Sequence, residues 1–130
     1  MYRAIIATLA FLLLAPAPSF SAHSADNFQL RNAQDLADLC AVPDGDPMVE
    51  AARGFCYGFL SGAGEYHRAI HLGPRDKPLI CPPEPKPTRA EAAQGFVDWA
   101  RANPQYMKET AIDALFRFAM AKYPCPKKAK

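Results

Sequence analysis

Cysteines, a pair of histidines and a single serine beyond the N-terminal segment are the side chains here that could do chemistry. The cysteines, Cys40, Cys56, Cys81 and Cys125, are spaced C-x15-C-x24-C-x43-C. None belongs to a C-x2-C pair, the spacing of a zinc ribbon or a thioredoxin-like redox site. An even count in a small exported chain reads instead as two disulfides, with all three connectivities open. His67 and His71 stand four residues apart on a helical segment, so both rings share a face, as metal ligands would. Two ligands fall short of the usual three or four. The plainer reading sets His67 at the edge of the core and His71 at the helix C-terminus, where a cation is favoured. Ser61 lies in Leu60-Ser61-Gly62 inside a helix, and the Gly-x-Ser-x-Gly elbow of a hydrolase is absent. The carboxylates are scattered, and bridged cysteines leave no thiol nucleophile. The expectation is a binding protein without catalytic residues, cofactor or metal.

The elements that must carry these residues begin after an export signal. Residues 1–25 have the layout of a secretory signal peptide: Arg3, an apolar run over residues 4–15, then Pro16, Pro18 and small residues. The run is shorter than the roughly 20 residues of a membrane span. Cleavage after Ser21 or Ser24 fits the small residues there. Residues 26–130 then form one small domain, expected in an oxidising compartment, the periplasm, with no membrane attachment after cleavage. Losing Arg3 takes the formal charge from +2 to +1. That balance does not suit nucleic-acid binding, which calls for a strongly basic domain. Half of the sequence is hydrophobic, which argues against disorder.

Every long periodic segment has the helical period, and none alternates as a strand does. Asn32 caps a short first helix with Ala33, Leu36, Ala37 and Cys40 on one face, ended by Pro43-Asp44-Gly45. Asp46 as N-cap and Pro47 open a second, from 47 to about 71, with Ala52, Phe55, Cys56, Phe59, Leu60, Ala63 and His67 on one face. Residues 74–87 hold six prolines, so this stretch reads as a stiff, extended loop that a disulfide through Cys81 would pin. Thr88-Arg89-Ala90-Glu91 is a capping box opening the third helix. Asn103-Pro104 stops that helix and starts a fourth running to about Lys122. The expected fold is all-α: a four-helix bundle stapled by two disulfides, with a Pro-rich loop between the second and third helices.

Two patterns go beyond the scaffold. Gly54, Gly58 and Gly62 repeat every fourth residue along the second helix. Each costs about 1 kcal/mol relative to alanine there, so the strip is expected to pack closely against another helix. Glu65 falls on the same edge and reads as an ordinary exposed acid. On the fourth helix Ile112, Phe116 and Met120 form a second apolar line beside the core stripe. They are a candidate contact surface, for a homodimer or another partner, with Phe116 as anchor because aromatic residues are enriched in interface cores. Charge is uneven: residues 26–65 hold seven acids and two arginines, a face that could steer a basic partner.

Gly54-Phe55-Cys56-Tyr57-Gly58-Phe59-Leu60-Ser61-Gly62 resembles the GFCxGYxxG segment of the Rap/Tai-type immunity proteins of bacterial type VI secretion systems. Ile80-Cys81-Pro82-Pro83 is similar to that family's C-x-P. Ala102-Asn103-Pro104 is similar to its helix break, and Ala114-Leu115 with Tyr123-Pro124-Cys125 to its closing AL…(F/Y)PC. Leu36 to Cys40 resembles its opening L…C. The likeness runs from about residue 28 to 125. It implies a periplasmic helical protein without enzymatic activity that binds a secreted peptidoglycan amidase toxin and blocks its active site. The matching residues are cysteines, glycines and prolines that specify the scaffold, and no toxin-contacting residue carries over. A second class remains: an acid-stress chaperone of similar helical build, like the HdeA-type proteins. Thirteen acids are an ordinary density for such a domain, which favours the inhibitor.

Overall fold

The side chain of Asn32 accepts the Asp35 N–H at 3.0 Å and so starts the first helix, α1 (Ala33–Cys40). Arg31 closes the turn from outside, donating its backbone N–H and its Nε to the Asp35 carboxylate at 2.9 and 3.1 Å. The protein is described by a computed structural model over residues 24–73 and 77–126. Residues 1–23 of the expected export signal, the loop residues 74–76 and the tail residues 127–130 lie outside the described residues.

The second helix, α2 (Val49–Ile70), begins slightly later than its sequence signals suggest. Asp46 does not cap it. Its carboxylate accepts the Met48 N–H at 2.8 Å and shapes the turn ahead of the helix. The third helix, α3 (Arg89–Ala102), opens on the expected capping box: the Thr88 hydroxyl accepts the Glu91 N–H and the Glu91 carboxylate accepts the Thr88 N–H.

The fourth helix is shorter than expected. Pro104–Tyr106 makes only one 3-10 turn, and α4 (Ala111–Lys122) starts afresh with Thr110 as N-cap, its hydroxyl accepting the Asp113 N–H. The break has a physical cause in α1. Ala33 donates its N–H to the Glu109 carbonyl at 2.9 Å, and Gln34 to the Met107 carbonyl at 3.1 Å. Carbonyls that a continuous helix would use internally instead satisfy N–H groups left free at the start of α1.

α1 is the hub, packing against α2, α3 and α4. Ala33, Leu36, Ala37 and Leu39 are each at most 1% exposed, and Asp35 and Asp38 are buried as well. Burial of Leu36 and Leu39 is worth about 1.5–3 kcal/mol each. The main core joins α1 to Phe96 and Ala100 of α3 and to Ala114, Leu115, Phe118 and Ala119 of α4. A smaller cluster of Leu39, Val42 and Ala52 lies between α1 and α2, with Phe28 edge-on to Phe55. Phe28 belongs to a short 3-10 helix, Ala25–Gln29, held by a buried Asn27 side chain that donates to Asp38 at 3.2 Å.

Two disulfides staple the bundle: Cys40–Cys56 joins the end of α1 to α2, and Cys81–Cys125 ties the Pro-rich loop to the segment after α4. No cysteine is free. Beside the second staple, Cys81 donates its N–H to the Tyr123 carbonyl at 2.9 Å. The described residues thus form an all-α bundle of four helices with no strand. No helix among them is long and apolar enough to cross a membrane.

The glycine strip does not pack as expected. A Cβ built on Gly54, Gly58 or Gly62 meets nothing within 4 Å among the described residues, and all three positions are exposed. The i+4 spacing does put them on one edge of α2, but the other helices gather around α1 and that edge turns outward. The close approach occurs at Gly95 of α3, where a Cβ would lie 3.1 Å from the Phe118 ring.

Candidate binding cleft

The last turns of α2, the Pro-rich loop, the start of α3 and one side of α4 enclose a cavity of about 580 Å³. Each wall follows from local sequence. α2 contributes Leu60, Ala63 and His67 from its apolar face. α4 contributes Leu115, Phe116 and Ala119, neighbours at the helical spacing. The loop lies across the open end because Cys81 is bonded to Cys125, and this brings Pro78, Ile80 and Pro82 into the wall. Tyr123 completes it, and burial raises its phenol above the ordinary value, with Glu91 adding to the effect.

His67 joins helix to loop. It is 6% exposed, and its Nε2 accepts the Leu79 N–H at 3.0 Å. That bond requires a neutral ring with its proton on Nδ1. Burial, and then the nearby His71, hold the His67 pKa below its usual value. The two rings stand 4.3 Å apart, centre to centre, and His71 Nδ1 donates to the His67 carbonyl at 2.7 Å. The pair is therefore committed to the chain itself: one Nε2 is occupied by the loop and one Nδ1 by the helix end. Among the described residues, no group of three His, Cys, Asp or Glu side chains converges as a metal site would need.

Charge at the cleft is one-sided. Among the described residues, Arg68, Lys86 and Arg89 line it against a single carboxylate, Glu65. Arg68 donates to Glu65 at 2.7 and 3.0 Å. That hydrogen bond and the Arg68 charge, with a smaller contribution from Lys86, hold the Glu65 carboxyl below the usual range. Glu65 is thus the exposed acid expected, paired along its own helix.

The candidate contact line on α4 divides. Phe116 is half-buried in the cleft wall, its ring 5.6 Å from that of His67. Ile112 and Met120 are each 41% exposed. Further apolar surface lies around the end of α2 and on the loop, where Tyr66, Ile70, Leu72 and Leu79 are all more than half exposed. Gly54, Gly58 and Gly62 lie apart from the cleft lining. Local patterns miss Ile80, Lys86 and Arg89, which a disulfide and a loop bring together. The one sequence signal for Arg89 is its position at the first residue of α3, where the helix dipole disfavours a cation.

Fold and staples together define a small disulfide-bonded all-α bundle with an open, largely apolar cleft at one end. A family model describing Rap1a immunity proteins matches residues 32–125, and the chain belongs to that family. The match takes in both disulfides, all four helices and the cleft. Searches of curated proteins and of solved structures found no match.

Proposed function

We propose that this protein is a periplasmic immunity protein that binds a cognate peptidoglycan amidase delivered by type VI secretion and blocks its activity. Membership of the Rap1a immunity protein family over residues 32–125 carries this reading. Two disulfides and a signal-like segment over residues 1–25 support export, since disulfides persist in oxidising compartments. The protein acts by occupying a surface, with no chemistry of its own. Ile112 and Met120, with the rim of Phe116 between them, form the face through which it would engage the toxin or a second copy of itself.

The test uses the mature protein and an amidase toxin encoded beside it. Release of soluble fragments from purified sacculi should fall to background at one equivalent of the protein. Undiminished release at large excess would reject the reading. Replacing both Ile112 and Met120 with serine should lower the melting temperature only modestly, since each is 41% exposed, and should abolish complex formation or dimerisation. Full retention of both by the doubly substituted protein would move the contact face elsewhere.

A further inference from the structure

The cleft has the make-up of a small-molecule site, and it adjoins the α4 contact face through Phe116 alone. Its volume of about 580 Å³ falls within the range of ligand pockets, and such pockets combine apolar walls with a few placed polar groups. Here the charged groups are segregated by element. The α4 wall is uncharged, built from Leu115, Phe116, Phe118 and Ala119. The end of α2, the loop and the start of α3 carry Arg68, Lys86 and Arg89. Arg68 is paired with Glu65. The Lys86 and Arg89 side chains make no hydrogen bond or salt bridge to any described residue. Neither serves its helix: Arg89 opens α3 against the helix dipole, and Lys86 precedes the capping box.

We infer that the cleft binds a single-chain anionic amphiphile, a fatty acid, with its alkyl chain along the α2–α4 walls and its carboxylate between Lys86 and Arg89. The length of the lining suits such a chain. From Leu60 to Arg68 the α2 residues that line the cleft span about 12 Å, at 1.5 Å per residue. Pairing the headgroup with two cations offsets its desolvation at the rim, and a guanidinium can hold a carboxylate by two parallel hydrogen bonds. A cationic amphiphile would meet the same walls with the wrong charge at the mouth. A headgroup alone would forgo the apolar contacts.

The experiment is calorimetric titration of the mature full-length protein, using dodecanoate below its micelle concentration. Saturable one-to-one binding is expected, with none for acetate and at least tenfold weaker binding for dodecyltrimethylammonium. Lys86→Glu combined with Arg89→Glu should weaken dodecanoate binding about tenfold or more. The same double change should leave the melting temperature level or raise it, because an acid at the start of α3 suits the dipole. Ala63→Trp, which places bulk against the apolar wall, should block the site; circular dichroism checks that this variant folds. Equal affinity for both amphiphiles would overturn the inference. So would unchanged dodecanoate affinity after charge reversal, or the lack of saturable binding below the micelle concentration. None of these outcomes depends on inhibition of an amidase.

Discussion

Replacing Gly58 with alanine should stabilise this protein. The position lies inside α2, with ordinary helical backbone and nothing within 4 Å of where the new Cβ would stand. A glycine inside a helix is about 0.8–1.0 kcal/mol less favourable than alanine. Where the native conformation suits both residues, the measured gain is about 0.4–1 kcal/mol, because the unfolded chain loses freedom. The Cβ occupies open space, so no overpacking term opposes the gain. For a domain of this size, that gain raises the melting temperature by roughly 2–8 °C. Gly54→Ala and Gly62→Ala share the open geometry, and the triple variant should gain about 1–3 kcal/mol if the three add. Gly95→Ala is the internal control. Its Cβ would press at 3.1 Å on the Phe118 ring, which Phe96, Trp99 and Tyr123 surround. It should therefore gain less than Gly58→Ala, or lose stability. Urea unfolding of the purified mature variants, followed by circular dichroism, measures all five. A fall in stability for Gly58→Ala would show that another surface closes over the strip and that this description of α2 is wrong.

Thiol titration of the denatured, unreduced protein should find no free thiol. Serine substitution of Cys81 and Cys125, which close the longer loop, should cost about 4 kcal/mol, against about 3 for Cys40 and Cys56, if chain entropy dominates. Acid should weaken the fold through His67. Its native pKa is depressed by burial and by His71, so the unfolded chain takes up the proton first as pH falls from about 6.5, and stability declines until the native ring is protonated too. His67→Gln, which can still accept from Leu79, should show a shallower decline in urea unfolding between pH 7.5 and 5. An identical slope in both proteins would mean that His67 does not titrate differently in the two states.

Much of this molecule is written locally. Asn32 and the Thr88–Glu91 pair mark their helix starts because a capping side chain satisfies N–H groups within three residues of itself. The helical period over α2 and α4 and the prolines between α2 and α3 are equally short-range. The reading of an even cysteine count as two bridges needs only composition. What the sequence leaves open is decided by neighbours distant along the chain. The pairing of Cys40 with Cys56 and of Cys81 with Cys125 depends on which ends the bundle brings together. The division of the last helical segment into a 3-10 turn and α4 depends on α1 claiming the Met107 and Glu109 carbonyls. Periodicity shows that Gly54, Gly58 and Gly62 share an edge, but not whether a helix lies against it; α1, buried at the centre, draws its neighbours elsewhere. His67 reads as a border residue because its partner, the Leu79 N–H, lies beyond the end of its own helix, held there by the folded chain. A helix face follows from 3.6 residues per turn, whereas the occupant of that face is settled only when the whole chain has packed.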